Sequence, residues 1–184
     1  MKKSKIKKLI KALIFSTFIC LAMIFCFFTN NKYPSYNIIE HNCDEEFTFN
    51  GLNINFNSFE IYTHEDFIKK FPNVELYDDN QINMIVSMGV KNFSDSQKII
   101  PFDQFVLECT GWYSSICVKA FFSLNPGVNS YKITVPPKAY GTIQIPFTYY
   151  SSNIHKDNFK DNIYKSKFHL NIYMSYPQKI IINL

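Results

Sequence analysis

The feature that most constrains the fold is a two-residue alternation of apolar and polar side chains, which recurs after residue 47. Its clearest example runs from Ile82 to Val90, where only Ile85 is out of phase. Neighbouring side chains of a β-strand point to opposite faces, so this pattern indicates strands with one buried face. Similar segments, separated by turn residues, are 105–107, 116–124, 131–135, 143–149, 168–174 and 180–184. Eight or nine short strands of this kind predict an all-β fold, an immunoglobulin-like antiparallel β-sandwich.

A hairpin is predicted at the start of this region. The dipeptide Asn50-Gly51 separates residues 47–49 from residues 52–56, and it suits the two left-handed positions of a type I′ turn. The apolar phase then shifts by one residue before Phe59. A shift of that kind predicts a β-bulge in the second strand.

One short helix is predicted after the hairpin. Thr63 is a good N-cap, Asp66 stands at the reciprocal position, and Pro72 ends the segment. Apolar residues at Phe67 and Phe71 are one helical turn apart, so one face of the helix would be buried.

The N-terminus is a separate unit. No charge occurs between Ala12 and Lys32, and six lysines precede Ala12. About 20 apolar residues span a hydrocarbon core, and a one-sided lysine cluster marks the cytoplasmic side. The sequence therefore predicts a single-pass cell-membrane protein: a cytoplasmic stub (1–11), a transmembrane signal anchor (12–29), a tether (30–46) and an extracellular β-sandwich domain (47–184).

Two other uses of the apolar segment were weighed. A cleaved signal peptide needs small residues before the cleavage site, and residues 27–31 provide no convincing example. A lipoprotein needs a small residue before its acylated cysteine, but Ile19 precedes Cys20 and Phe25 precedes Cys26. An uncleaved anchor is the reading that the sequence favours.

The charge distribution argues against nucleic-acid binding. Outside the N-terminal cluster, 13 lysines are outnumbered by 15 acidic residues, and the chain contains no arginine. A nucleic-acid-binding protein needs a basic face to displace counterions, and arginine provides the bidentate contacts to phosphate and guanine.

Three cysteines lie beyond the apolar segment, at Cys43, Cys109 and Cys117. The turn-like sequence between Cys109 and Cys117 favours a disulfide between them. However, Cys109 continues the apolar phase of its strand whereas Cys117 falls in the polar phase, and cross-strand partners share a face. A disulfide with an intervening bulge and two free thiols are both consistent with the sequence.

No catalytic or metal-binding arrangement is recognisable. The segment His41–Glu46 has several potential ligands, but zinc sites need a second pair of ligands. The remaining histidines, His64, His155 and His169, accompany no nucleophile motif. The carboxylate pairs at 45–46, 65–66 and 78–79 are sequence neighbours, whose side chains diverge. We therefore expect neither a metal, nor a cofactor, nor an enzyme.

Exposed aromatic residues are the candidate binding residues. Trp112 and Tyr113 lie at a predicted hairpin tip, and Tyr149 and Tyr150 lie at a strand end. Such rings can stack on a sugar or anchor a protein partner, although Trp112 can instead cover one end of the sandwich. The sequence favours a non-catalytic interaction module that binds an envelope protein. The alternatives are a module that binds a cell-wall polymer and, less favoured, an envelope hydrolase.

The sequence also resembles the immunoglobulin-like ectodomains of uncharacterised function on low-GC Gram-positive cell-surface proteins. The resemblance covers about residues 47–184. It rests on segments 50–71 and 90–95, and on Asn125-Pro126-Gly127 followed by two strands joined by a Pro-Pro turn. It implies a telokin-like fold and a cell-surface location, and it transfers no catalytic residue. The absence of a lipoprotein cysteine motif departs from those relatives that are lipoproteins.

Overall fold

The computed structural model describes residues 2–33, 35–75, 81–109, 111–150, 163–174 and 176–184. The chain divides into two compact units, residues 1–37 and 38–184. The first unit is built on helix α1, Lys2–Lys32. Within it, Leu13–Lys32 has a mean hydropathy of 2.1 and buries none of its surface. A helix of this length and composition serves as a membrane anchor or as a signal sequence.

The second unit contains eleven strands and two α-helices in its described part. The strands are β1 Asn37–Asn42, β2 Phe47–Phe49, β3 Leu52–Tyr62, β4 Gln81–Lys91, β5 Lys98–Pro101, β6 Phe105–Cys109, β7 Trp112–Ser115, β8 Lys132–Val135, β9 Tyr140–Tyr150, β10 His169–Tyr173 and β11 Gln178–Asn183. The helices are α2, His64–Lys70, and α3, Val118–Leu124, and one 3-10 turn spans Phe102–Gln104.

Two sheets form the sandwich. One has the strand order β1-β11-β10-β6-β7, the other has the order β2-β3-β4-β9, and β5 pairs with β8 in a small third sheet. The antiparallel strand pairs include β2–β3, β3–β4, β4–β9, β6–β7, β6–β10, β10–β11 and β5–β8. A continuous apolar core lies between the two large sheets, and the rings of Phe49 and Phe105 meet across it at 6.3 Å. The prediction of an antiparallel β-sandwich is confirmed.

The local predictions around β3 are also confirmed. Phe49 pairs with Leu52, and Asn50 and Gly51 have φ angles of 51° and 74°, as a type I′ turn requires. The register of β3 against β4 shifts between Phe56 and Ser58, which is the predicted bulge.

Helix α2 begins and ends where its capping residues indicate. Asp66 N donates to Thr63 Oγ1 at 3.2 Å, the Thr63 hydroxyl donates to Asp66 Oδ2 at 2.8 Å, and Phe71 is the C-cap. Its buried residue, Phe67, covers Ile85 together with Val74 and Ala120. The out-of-phase Ile85 is therefore apolar because the helices cover the outer face of β4.

The strand predicted over 116–124 is wrong. Only Ile116 makes a β-bridge, to Phe147, and residues Val118–Leu124 form helix α3. Ala120 and Phe121 are both buried although they are adjacent, while Val118 is 53% exposed. Adjacent buried residues fit the 3.6-residue period of a helix, so the alternation in this segment was coincidental.

The predicted tether over 30–46 also differs from the structure. Helix α1 continues to Lys32, and Asn37–Asn42 forms β1 at the edge of the five-stranded sheet. The prediction missed β1 because its side chains are mostly exposed, so its sequence lacks an apolar alternation. The polar sequence of residues 151–165 predicts a surface loop, and residues 151–162 of it lie outside the described residues.

The outer edge of β9 is hydrogen-bonded, although no strand in the described part of the chain pairs with it along its length. Gln144 N donates to Asn125 Oδ1 at 2.9 Å, and Asn125 Nδ2 donates to Gln144 O at 2.8 Å. Further along the strand, Cys117 N donates to Pro146 O at 2.8 Å and Ser114 Oγ donates to Thr148 O at 3.1 Å. The amide of Asn125 thus replaces a neighbouring strand.

Candidate binding cleft

A cleft of about 380 Å³ lies on the outer face of the four-stranded sheet. Its floor contains Glu60 from β3, Ser87 from β4 and Gln144 from β9. One wall is residues 71–74, which follow α2, and the other is the end of α3 (Ser123 and Leu124) together with Pro126. Polar groups on the floor and apolar walls are the usual composition of a small-ligand pocket.

Strand register brings these residues together from distant parts of the sequence. Ser87 pairs directly with Gln144 across β4 and β9, and the Ser87 hydroxyl donates to Gln144 Oε1 at 3.0 Å. Glu60 pairs with Ile85 on the neighbouring strand. Because the bulge between Phe56 and Ser58 changes which side chains face outward, it sets Glu60 and Tyr62 on the cleft side of β3.

Three polar side chains form a network at one side of the cleft. Lys70 Nζ lies 2.8 Å from Glu60 Oε2, the Tyr62 hydroxyl donates to Glu60, and Lys70 also donates to Tyr62. The ammonium lies 4.9 Å from the centre of the Tyr62 ring. The hydrogen bond from Lys70 lowers the pKa of Glu60, and the hydrogen bond to Glu60 raises the pKa of Lys70. Burial, followed by the bond to Glu60, raises the pKa of Tyr62.

At neutral pH the cleft therefore contains a carboxylate and an ammonium that face each other. These groups can hold a polar or zwitterionic ligand through charge-assisted hydrogen bonds. Nucleophilic catalysis would need a serine or cysteine bonded to a base, whereas the hydroxyl of Ser87 bonds to an amide oxygen. The arrangement is suited to binding.

The Glu60 network should make a small, pH-dependent contribution to stability. The folded-state pKa of Glu60 is depressed, so its stabilisation is present above the unfolded-state pKa and is lost as the pH falls through the folded-state pKa. At pH 7, Glu60→Gln should lower the urea midpoint by about 0.3 M, since both partners are half-exposed. The difference from wild type should shrink as the pH falls below the usual glutamate pKa of about 4.3. A difference that stays constant as the solution is acidified would rule out the carboxylate as its cause.

The structure separates the four aromatic residues predicted to bind. Trp112 is 8% exposed and Tyr149 is 1% exposed, and their rings meet at 4.3 Å in the core. Tyr150 is half-buried, and Tyr113 is 75% exposed. Trp112 and Tyr149 therefore fill the end of the sandwich and are not exposed binding residues. Of the four predicted residues, only Tyr113 is fully accessible.

Cys109 and Cys117 are free thiols. Cys109 pairs with Trp112, while Val106 pairs with Ser115 at the other end of the same hairpin. The Val106–Ser115 pair lies three residues along the hairpin from Cys109, a distance of about 10 Å. Cys117 lies two residues beyond Ser115. A disulfide needs Cα atoms within about 7 Å. Burial raises the pKa of the Cys109 thiol, and burial followed by Asp44 raises that of Cys43.

The potential ligands of the His41–Glu46 segment bond to one another and to the domain. Glu45 accepts hydrogen bonds from Asn42 N and Nδ2 at 3.1 and 2.9 Å. Glu46 lies 2.8 Å from Lys91 Nζ. No group of three or more His, Cys, Asp or Glu side chains suitable for a metal occurs within the described residues. His155, Asp78 and Asp79 lie outside them.

The cleft residues Glu60, Tyr62, Lys70, Ser87 and Gln144 were not identified from the sequence. Each is an ordinary polar residue on a strand or helix, and no spacing links them. The one available signal was local, since Glu60 and Tyr62 alternate with apolar residues before a helix that ends in Lys69-Lys70.

Comparison with solved structures found proteins to which this chain is similar. It is similar to an uncharacterised beta-sandwich protein from Clostridium difficile 630, with a TM-score of 0.48, 9% identity and coverage of 82% of this chain and 96% of that chain. It is also similar to the yjhA protein from Bacillus subtilis, with a TM-score of 0.49, 10% identity and coverage of 78% of this chain and 99% of that chain. A third similar structure is a functionally unknown protein from Listeria monocytogenes EGD-e, with a TM-score of 0.49, 12% identity and coverage of 77% of this chain and 81% of that chain. These likenesses carry no argument about function.

The curated proteins include no match to the sequence. A family model described as "Domain of unknown function (DUF5028)" matches residues 35–180. That match spans well over half of the chain, and the protein therefore belongs to the DUF5028 family.

Proposed function

We propose that this protein is a membrane-anchored, non-catalytic interaction module of the cell envelope. The observation that carries the proposal is α1, whose apolar segment Leu13–Lys32 is long enough to cross a membrane and has none of its residues buried. Six lysines precede that segment, and lysine-rich flanks stay on the cytoplasmic side. The β-sandwich would then lie on the opposite side of the membrane.

Topology tests the anchoring part of the proposal. The full-length chain with a C-terminal epitope tag should remain in the membrane pellet after alkaline carbonate washing and migrate at its uncleaved mass of 21.6 kDa plus the tag. Protease added to intact protoplasts of a bacterial host should remove the tag. Leu21→Lys should reduce the membrane-bound fraction, because a lysine at the centre of a span costs about 2.5–3.5 kcal/mol. A tag protected from protease, or a shortened product, would contradict the anchored topology.

The cleft is the binding surface that we propose for a protein partner. Its two apolar walls and its Glu60–Lys70 ion pair offer both contact area and fixed polar partners. A photo-crosslinking residue in place of Asn73, which is exposed in the cleft wall, should give a discrete adduct in whole cells. The same residue in place of Tyr140, which is 87% exposed elsewhere on the domain, should not. Equal labelling at both positions would remove the cleft from the proposal.

A carbohydrate-binding role is the second candidate. Trp112 and Tyr149 no longer favour it, because both are buried. The observation that does favour it is the exposed ring of Tyr113 beside polar side chains of the five-stranded sheet.

A further inference from the structure

The outer face of the five-stranded sheet carries a row of polar and aromatic side chains. Tyr113 pairs with Glu108, Glu108 pairs with His169, and His169 pairs with Asn183. These four residues therefore form one transverse row across β7, β6, β10 and β11. Adjacent strands are about 4.8 Å apart, so the row extends for about 14 Å.

Asn171 lies next to this row and is unusual. It alternates with Leu170 and Ile172, which are in the core, so its side chain faces the outer side of the sheet. It is nevertheless only 1% exposed. Among the described residues, neither Nδ2 nor Oδ1 of Asn171 has a hydrogen-bond partner.

The register explains why Asn171 is buried. Lys179 pairs with Tyr173 two residues beyond Asn171, and Glu108 pairs with His169 two residues before it. Lys179 Nζ reaches to 3.7 Å from Glu108 Oε2, and the Tyr173 hydroxyl donates to Glu108 Oε1 at 2.8 Å. A side chain that runs from Lys179 to Glu108 must cross β10 at Asn171. Lys179 and Tyr173 therefore form a cover over Asn171, held by Glu108.

An uncompensated buried amide is costly to a fold. A leucine of similar size at position 171 would lie on the same surface without leaving two polar atoms unsatisfied. A buried polar group that lacks a partner calls for an explanation, such as a bound water or ion or a functional role. At Asn171 both polar atoms of the side chain lack a partner among the described residues. The cover is also held mainly through one carboxylate, so a ligand that bonds to Glu108 could displace it.

We propose that this face is a saccharide-binding site centred on Asn171. The inference goes beyond the protein-binding function proposed for the cleft and develops the second candidate, carbohydrate binding; it rests on the proposed function only in taking the domain to bind rather than catalyse. A sugar hydroxyl is both a donor and an acceptor, so two hydroxyls on one ring satisfy Nδ2 and Oδ1 of Asn171 together. Glu108 and Lys179 bring opposite charges to the same site, so the pair favours neither an anionic nor a cationic ligand.

The rest of the row matches the shape of a sugar chain. The exposed ring of Tyr113 offers a flat face for the C–H groups of a sugar ring. His169 and Asn183, joined by a hydrogen bond of 2.8 Å, continue the polar row beyond Glu108. A length of about 14 Å accommodates a short oligosaccharide that lies across the strands.

Binding and stability measured on the same variants test this assignment. The full-length chain in detergent micelles is titrated with linear tetrasaccharides of glucose and of N-acetylglucosamine, followed by calorimetry and by saturation-transfer NMR. At least one probe should bind saturably. Tyr113→Ala should weaken binding about fivefold without changing Tm. Asn171→Leu should weaken binding about tenfold or more while raising Tm by several degrees.

Tyr140→Ala is the matched control, since Tyr140 is 87% exposed on β9 in the other sheet. It should bind as the wild type does. The assignment is overturned if neither probe binds saturably, or if Tyr113→Ala and Asn171→Leu bind as well as Tyr140→Ala. The membrane-topology experiment and the crosslinking at position 73 do not depend on either result. They test the proposed function separately.

Discussion

Asn92→Asp should unfold the domain under conditions in which the wild type is stable. Asn92 is 1% exposed, and its Nδ2 donates to the carbonyl oxygens of Ser96, Val135 and Pro136 at 2.9, 3.1 and 2.9 Å. Its Oδ1 accepts from Ser94 N and Oγ. The amide thus joins the loop after β4 to the turn after β8.

Aspartate has the same shape but no donor. The substitution would set a carboxylate against three carbonyl oxygens in a buried position, at a cost of about 3–5 kcal/mol. Urea unfolding of the full-length chain, followed by the fluorescence of the single tryptophan, measures the loss. Asp95→Asn is the reverse change in the same loop, on a side chain that is 94% exposed, and should shift stability by less than about 0.5 kcal/mol. If Asn92→Asp lowers the free energy of unfolding by no more than Asp95→Asn does, the hydrogen bonds of Asn92 add no stability.

Trp112→Ala should destabilise the domain by about 3–5 kcal/mol, the usual loss for a buried tryptophan. The indole packs against Tyr149 at 4.3 Å and Phe168 at 6.4 Å between ring centres, and the residue is 8% exposed. The adjacent change Tyr113→Ala removes a ring that is 75% exposed, so stability should change by less than about 0.5 kcal/mol.

The pair of variants separates the two roles that the sequence allowed for Trp112. Since Trp112→Ala removes the only tryptophan, circular dichroism during urea unfolding is the measurement for both. A midpoint for Trp112→Ala that matches the wild type would place the indole outside the core. Loss of stability in Tyr113→Ala alone would reverse the assignment of the two residues.

Features whose causes are local could be predicted from the sequence. The hairpin follows from Asn50-Gly51, because both residues adopt the positive φ that a type I′ turn needs. Helix α2 follows from Thr63 and Asp66, whose capping bonds span three residues. The alternating segments predicted a sandwich because each needs a partner surface for its apolar face. The telokin-like subtype stays a prediction.

Features that depend on tertiary contacts could not be predicted in this way. The sequence of segment 116–124 fits both a two-residue period and a helical face. It is a helix because Ala120 packs with Ile85 on the outer face of β4, a tertiary contact that the sequence does not reveal. The cleft combines Glu60, Ser87 and Gln144, which strand register alone brings together. Asn171 falls in the polar phase of its strand, and no sequence pattern signals that it is buried.

The bonded edge of β9 has a consequence for how this domain meets other molecules. A strand that extends a sheet needs free N–H and C=O groups to pair with. Between Gln144 and Thr148 those groups are already taken by Asn125, by the amide that precedes α3 and by a serine hydroxyl. Copies of the domain therefore cannot pair edge to edge along this stretch to form a continuous sheet, and an extended peptide cannot add to it as a further strand.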